Sequence, residues 1–198
     1  QCGDTISEED AVITLEDPTV EVINGETYGG LKALCEGELA SRWSGTHAIV
    51  RPGLIVGPHD HTDRWTTWLM AIARGKRRDP SRPDQPSQIV DVRDLAAFVV
   101  RLASEGITGT YNVVGPAAPH TFGQIMDLAQ ETLNPDAGRE TGEFDRPLDL
   151  GDEPTHDAIM RVSAAKALAA GLTLRPLAET MRDTVAWFKS EARELKFK

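Results

Sequence analysis

Residues 28–58 read YGGLKALCEGELASRWSGTHAIVRPGLIVGP, which is the pattern of a helix followed by a strand. Apolar residues recur at helical spacing and predict a helix from Tyr28 to about Ser41; they are Leu31, Leu34, Cys35 and Leu39. Cys35 is expected to be a small buried residue on this face. The next apolar run, Thr46–Val50, is short and partly β-branched, and Arg51-Pro52-Gly53 ends it. We therefore expect a buried strand that leads into a functional loop at its carboxyl end.

Helical and extended patterns alternate along the rest of the chain. A polar loop is predicted over 1–26, and a helix that starts at about Trp65 and is stopped by Gly75 follows the motif above. An exposed loop over 76–88 leads to a brief strand at Ile89-Val90, with Asp91 as the cap of the next helix. The remaining predicted elements are a strand over 109–115, a helix over 121–133 with Thr121 as its cap, a long loop over 134–157, an Ala-rich helix capped by Ser163, and a last helix with Pro176 just inside its start. This alternation predicts an α/β fold.

Composition excludes several classes of protein. Asp and Glu outnumber Lys and Arg by 31 to 21, and the resulting formal charge of −10 disfavours nucleic acid and anionic lipid as partners. No apolar run approaches the ~20 residues that span a bilayer, so no membrane partner is expected either. Only Cys2 and Cys35 could pair, which excludes a disulfide framework. No secretory signal is visible, and we expect a cytoplasmic location.

Tyr28 and Lys32 form the pattern Tyr-x-x-x-Lys, which places a phenol and an ammonium on the same face of a helix. A phenol with a pKa near ~10 is a poor acid or base at neutral pH, and a nearby cation favours its ionised form. Such a pair can move a proton to or from a carbonyl or hydroxyl oxygen. The pentapeptide also arises by chance, so its interpretation depends on the surrounding motifs.

Four stretches in register, the first of which contains this pentapeptide, supply that context. They are YGGLKALCE at 28–36, HAIVRPGLIVGP at 47–58, IVDVRDLA at 89–96 and TYNVVG at 110–115, and LTLRP at 172–176 follows them. In this order and spacing the chain resembles the extended short-chain dehydrogenase/reductase family, in its NAD-dependent epimerase/dehydratase branch. The resemblance covers essentially the whole chain.

The resemblance implies part of a Rossmann-type, doubly wound parallel sheet followed by a smaller C-terminal substrate lobe. Residues 1–58 and 89–106 would form the C-terminal half of a dinucleotide-binding domain, and residues 59–88 and 107–198 the substrate lobe. Tyr28 would be the general acid/base, and Lys32 its partner and a ribose ligand. The expected cofactor is NAD or NADP. Its nicotinamide would lie against the loop after the strand, at Pro52, Gly53, Leu54 and Ile55, in agreement with the rule that ligands bind beyond the carboxyl ends of parallel strands.

Two departures from the family pattern shape the expected function. The family's Gly-x-x-Gly-x-x-Gly turn, which holds the pyrophosphate at a helix N-terminus, has no counterpart in the sequence. We therefore expect the C-terminal part of a longer enzyme, and the alternative is a non-catalytic dinucleotide-sensing or scaffold module. Leu54 stands where many nucleotide-sugar members have Asn, which favours a smaller or more apolar carbonyl or alcohol substrate.

The segment Gly57–Trp65 offers candidate substrate contacts. His59 and His61 with neighbouring carboxylates could bind a metal, but no regular element places a third ligand, so no metal is predicted. His59, Arg64 and Trp65 are the predicted substrate-binding residues, and an ordinary loop capped by Asp63 is the alternative. The expected partner is a small-molecule substrate, with a homodimer as a possible assembly.

Overall fold

The computed structural model describes residues 5–141, 148, 157, 159–192 and 194–196. The helices in this part are α1 (Tyr28–Arg42), α2 (Arg64–Ala73), α3 (Val92–Glu105), α4 (Phe122–Leu133), α5 (Ala165–Ala169) and α6 (Leu177–Ser190). The strands are β1 (Ala48–Pro52), β2 (Leu54–Val56), β3 (Lys76–Arg77), β4 (Pro86–Ser87), β5 (Ile89–Asp91), β6 (Gly109–Val113), β7 (His120–Thr121) and β8 (Gly138–Arg139). None of the helices in the described ranges has the length and hydropathy needed to cross a bilayer.

Parallel pairing dominates the strands. β1 runs parallel to β6, with Ala48 opposite Gly109 and Pro52 opposite Val113. β2 runs parallel to β5, and β3 to β8, whereas the short pair of β4 and β7 is antiparallel. The prediction of an α/β fold with parallel strands is confirmed. The first strand ends two residues later than predicted, because its pairing with β6 continues as far as Pro52.

Two apolar cores hold these elements together. In one, α2, α4 and α6 pack on each other, and Trp68 meets Phe122 edge to face with ring centroids 5.1 Å apart. In the other, α3 and α5 cover β5 and β6, and Phe98 meets Tyr111 at 5.7 Å. Burial of aromatic side chains of this size stabilises each core by roughly 1.5–3 kcal/mol per residue.

The strand pairing bears on the predicted division into lobes. The sequence-based division places residues 109–113 in the substrate lobe and 48–52 in the dinucleotide-binding half. In the structure these two strands are paired over five residues, and β6 shares its apolar core with α3. The division into lobes stays a prediction, and the pairing favours moving β6 to the dinucleotide-binding half.

Helix starts follow the predicted capping residues in two cases. Asp91 accepts a hydrogen bond from the backbone N–H of Arg93 at 2.8 Å and caps α3. Thr121 caps α4 in a reciprocal capping box with Gln124. In contrast, α5 begins only at Ala165, and Pro176 is the residue before α6 rather than its first residue.

The prediction of an exposed loop over 76–88 is wrong. β3 and β4 lie within it, and Gln85, Ser87 and Gln88 are buried. Arg77 is also buried, because Asp79 and Asp127 bind its guanidinium at 3.0 and 2.7 Å. An arginine side chain can be buried when carboxylates pair with its charge. The run of charged residues in the sequence does not show that Arg77 has such partners.

Of the long loop predicted over 134–157, residues 142–147 and 149–156 lie outside the described residues, and β8 lies near its start.

The apolar face predicted for α1 is largely exposed. Leu34 and Leu39 are each 37% exposed, and Cys35, expected to be a small buried residue, is exposed and free. Gly30 is the buried residue of α1, and a Cβ there would come within 2.5 Å of Leu15. The helix forms where the spacing predicts it, but burial of its predicted apolar face is limited to the part near Gly30 and Leu31. Cys2, the other cysteine, lies outside the described residues.

Candidate active site

An open cleft of about 810 Å³ lies where β1 and β2 meet the loop that precedes α2. Tyr28 lines one part of it, and the segment from Arg51 to Thr62 lines another. Apolar side chains form much of the remaining wall; they are Val56, Val92, Val114, Ile159, Met160 and Val162. The size is within the roughly 300–1,000 Å³ of small-molecule sites. The cleft is therefore the candidate active site.

Tyr28 reaches the cleft as the first residue of α1. The preceding turn is fixed by Asn24, whose side-chain oxygen accepts from the backbone N–H groups of Glu26 and Thr27 at 2.9 and 3.0 Å. The carbonyl of Asn24 in turn accepts from the Tyr28 backbone N–H at 3.0 Å. Tyr28 is 58% exposed, so its phenol is accessible to a ligand in the cleft.

An ion pair fixes α1 against β1. Arg51 donates to Glu36 through Nε and Nη2, with the shortest N–O distance at 2.6 Å, and both side chains are largely buried. The bidentate geometry fixes orientation as well as distance. Since Glu36 lies two helical turns after Tyr28, this pair helps to hold the phenol near the end of β1.

Lys32 lies one helical turn after Tyr28, on the same exposed side of α1. It is not among the residues that line the cleft. The structure therefore brings Tyr28 to the site and leaves Lys32 beside it. Its predicted roles toward the phenol and a ribose stay predictions.

The segment predicted to line the nicotinamide does lie along the cleft, but the prediction of a loop is wrong: Pro52 ends β1, and Leu54 and Ile55 begin β2. Pro52, Gly53, Leu54 and Ile55 all contribute to the wall. The segment is anchored by the Gly53 backbone N–H, which donates to the carbonyl of Val113 at 3.1 Å. A Cβ at Gly53 would come within 3.0 Å of Val114 and 3.2 Å of the Gln88 carbonyl, so a larger residue would displace the segment. The chain thus passes from β1 to β2 at the edge where parallel strands end.

Asp60, rather than Asp63, caps α2. Its carboxylate accepts from the backbone N–H groups of Trp65 and Thr66 at 3.1 and 3.2 Å, and from the Thr62 hydroxyl at 2.6 Å. Burial raises the pKa of Asp60, but these hydrogen bonds outweigh it and hold that pKa below its usual value. Asp63 is fully buried at the N-cap position, makes no side-chain capping bond and accepts from the Lys196 backbone N–H at 3.1 Å.

The three predicted substrate contacts separate in the structure. His59 and Arg64 are exposed and line the cleft. The ring of His59 lies 5.4 Å from that of Trp187 on α6, which fixes one side of the loop. Trp65 is 1% exposed and belongs to the apolar core. The prediction of Trp65 as a substrate contact is corrected, because an indole inside the helical core cannot reach a ligand in the cleft.

The described residues hold no group of three or more His, Cys, Asp or Glu side chains that could ligate a metal. His61 lines the cleft, and its backbone carbonyl accepts from the ammonium of Lys196. The prediction that no metal binds here is left to experiment.

Some cleft residues were not identified from the sequence as parts of the site. Arg51, Gln88 and Asn112 line it. Each belongs to a quoted motif or adjoins one, but the strand pattern alone does not tell which face of a strand meets a cleft. Successive side chains of a strand point to opposite faces of the sheet. Since Tyr111 packs on Phe98, Asn112 belongs to the opposite face of β6, and this alternation was the sequence signal that could have identified it.

No protein-family model matches the chain, and no curated protein sequence matches it. Solved structures match its fold. The UDP-glucuronic acid 4-epimerase from Bacillus cereus in complex with NAD is 13% identical, with a TM-score of 0.64 over 98% of this chain and 58% of its own. The UDP-N-acetylglucosamine 4-epimerase from Methanobrevibacter ruminantium in complex with UDP-N-acetylmuramic acid is 19% identical, and its TM-score is 0.63 over 94% of this chain and 62% of its own. The NAD-dependent NDP-hexosamine 5,6-dehydratase TunA, of tunicamycin biosynthesis, is 18% identical, and its TM-score is 0.60 over 84% of this chain and 52% of its own.

The chain therefore has part of the Rossmann-like α/β fold of nucleotide-sugar epimerases and dehydratases. It spans between 52% and 62% of the length of these three solved structures. The fold implied by the sequence resemblance is confirmed.

Proposed function

We propose that this chain is the catalytic and substrate-binding part of an enzyme that uses NAD or NADP for hydride transfer to a carbonyl or from an alcohol. The observation that carries the proposal is the cleft shared by Tyr28 and the segment Pro52–Ile55, where β1 passes into β2. The cofactor would bind together with the glycine-rich half that the sequence resemblance implies.

The residues present fit the nicotinamide end of a dinucleotide. When bound, the reduced dinucleotide would supply the hydride for a carbonyl, and the oxidised form would accept the hydride of an alcohol. The segment Pro52–Ile55 lines the cleft and would lie along the nicotinamide ring. The Lys32 ammonium, on the same side of α1 as Tyr28, would donate to ribose hydroxyls. Several solved relatives are NAD-dependent or contain NAD or NADPH, which supports the same cofactor class here.

Tyr28 acts as the proton donor and acceptor. In the reducing direction its Oη gives a proton to the carbonyl oxygen, and in the oxidising direction it takes the proton of the alcohol. The positive charge of Lys32, one turn along α1, stabilises the phenolate that forms. Redox-neutral epimerisation and dehydration use the same parts, so these residues are compatible with either of them as well as with net hydride transfer.

The remaining cleft residues favour a small, partly apolar substrate. Val56, Val92 and Val114 provide apolar contact area, and His59 and Arg64 provide polar contacts at the rim. The solved epimerases named above act on UDP-sugars. Leu54 cannot offer the amide that many nucleotide-sugar members carry at its position, so we propose a carbonyl or alcohol compound without a nucleotide.

Three broader expectations belong to the same proposal. The two lobes would follow the sequence-based division apart from β6, the enzyme would form a homodimer, and it would act in the cytoplasm. The exposed apolar residues of α1, Leu34 and Leu39, are available for a homodimer contact.

The test is a turnover assay with the protein that carries both halves. NADH or NADPH is mixed with small ketones and aldehydes, and the loss of absorbance of the reduced dinucleotide is followed. We expect turnover with at least one compound, and turnover slower by about 10²–10⁴-fold when Tyr28→Phe replaces the wild type. Tight dinucleotide binding with no turnover of any compound would instead support the non-catalytic sensing module.

A further inference from the structure

Asn112 carries an unpaired amide beside the cleft. It lies in β6, is 4% exposed and contributes to the cleft wall. Its side-chain nitrogen, Nδ2, is buried and has no hydrogen-bond partner. The great majority of buried polar atoms in folded proteins are hydrogen-bonded, so an orphaned amide at a ligand site needs a reason.

Nearby polar groups are already engaged with other partners. Arg51, the register partner of Asn112 on β1, donates to Glu36. Glu8 accepts from the backbone N–H of Asn112 at 2.7 Å, which fixes the strand and not the side chain. These bonds leave the Asn112 amide available to a ligand.

Gln88, the other cleft-lining amide, provides a direct contrast. It is 2% exposed, and both ends of its side chain are bonded. Its Nε2 donates to the carbonyl of Val162 at 2.9 Å, and its Oε1 accepts from the Val162 backbone N–H at 2.7 Å. One amide in the cleft is thus fully used by the fold, and the other is not.

We propose that Asn112 donates a hydrogen bond to an oxygen atom of the substrate. This inference rests on the proposed function, because it takes the cleft as the substrate site. It narrows the substrate to compounds whose apolar body packs on Val92 and Val114 and whose carbonyl or hydroxyl oxygen meets the amide. A hydrocarbon of the same shape leaves the amide unpaired and is rejected.

The first part of the test compares stability in two matched variants. Replacing an unpaired buried amide by an apolar group of similar shape removes a cost, so Asn112→Leu should raise the Tm of the chain by about 2–4 °C. Gln88→Leu breaks satisfied hydrogen bonds and should lower the Tm by at least as much. A lower Tm in Asn112→Leu, matching that of Gln88→Leu, would show that Asn112 serves the fold and would overturn the proposal.

The second part measures ligand choice without any turnover. The probes are cyclohexanone and methylenecyclohexane, which share a ring shape and differ in the oxygen, with NMR signals of the Asn112 NH₂ group as the readout. We expect the ketone to bind about tenfold tighter in wild type and to shift those signals, and we expect Asn112→Leu to lose the preference. The proposal would be overturned if wild type bound the two probes equally or bound neither of them. It would also be overturned if Asn112→Leu still preferred the ketone to the hydrocarbon.

The two proposals fail in different ways. Tyr28→Phe should keep the ketone preference, because it removes the proton donor and leaves the amide in place. An intact preference in a protein that transfers no hydride would count against the proposed function alone. Turnover without a preference would count against Asn112 alone.

Discussion

Replacing Asp91 by Ala removes one of the polar contacts that join α3 to α6, the other being the ion pair of Arg93 with Asp183. Asp91 is 5% exposed. It caps α3 through the Arg93 backbone N–H, accepts from the Arg93 guanidinium at 2.7 Å, and accepts from the Thr180 hydroxyl on α6 at 2.7 Å. One carboxylate therefore accepts hydrogen bonds from donors on two helices, Arg93 on α3 and Thr180 on α6.

The cost of Asp91→Ala can be summed from these contacts. Loss of the cap costs about 1 kcal/mol. The Thr180 hydroxyl, which is 2% exposed, is left without its acceptor at about 1–2 kcal/mol. Arg93 is partly exposed and keeps Asp183 as a partner, so its lost pair adds less than about 1 kcal/mol. We expect a loss of about 3 kcal/mol in the free energy of unfolding.

A pH series adds a second check. Burial raises the pKa of Asp91, but the hydrogen bonds from Arg93 and Thr180 and the charge of Arg93 outweigh it, so the pKa is lowered overall. A lowered pKa contributes stability that is complete above the unfolded value of about 4 and is lost as the pH falls through the folded value. The stability gap between wild type and Asp91→Asn should therefore be largest at neutral pH and should shrink in acid.

The assay is urea unfolding followed by circular dichroism at low protein concentration. Asp183→Asn is the matched control, since it removes the exposed partner of the same arginine and should cost less than about 1 kcal/mol. A cost below about 0.5 kcal/mol for Asp91→Ala, or a gap for Asp91→Asn that does not change with pH, would refute this reasoning.

Three further predictions concern the cleft and its cofactor. Lys32→Met should reduce both turnover and dinucleotide affinity in the protein with both halves, because one ammonium serves phenolate and ribose; unchanged affinity would leave only the role toward the phenol. Elemental analysis of protein purified without a metal-affinity tag should find no stoichiometric metal; one zinc or iron per chain, lost in His61→Ala, would reverse that expectation. The 198-residue chain alone should self-associate and bind NAD and NADP more weakly than micromolar in calorimetry; a soluble monomer that binds at micromolar or tighter would contradict this.

The sequence predicted well those features of the fold that depend only on neighbouring residues, such as helix caps and the spacing of apolar residues in a helix. The caps Asp91 and Thr121 were identified because a side-chain acceptor before an apolar periodic run has one favourable use. The helix from Tyr28 was found by spacing alone. The strand pairs were not predicted, since β1 finds its partner β6 about 60 residues along the chain, and periodicity carries no information on partners.

The site was predictable only in part, for a related reason. Motif spacing led to Tyr28 and to the segment Pro52–Ile55, and the structure brings them to one cleft. Trp65 was misread because it follows that segment, and only packing reveals that it enters the core. The unpaired amide of Asn112 depends on what its neighbours bind, which no local pattern encodes.

The most direct test of the proposed function is the turnover of Tyr28→Phe in the protein that carries both halves, with a substrate verified by the carbonyl screen. The substitution removes only the phenol oxygen, so ring packing and the Lys32 contact with the dinucleotide should persist. We predict that kcat falls by about 10²–10⁴-fold while the Kd for NAD(P)H stays within about threefold. A kcat close to that of the wild type would contradict the assignment of Tyr28 as the acid/base and, with it, the proposed function.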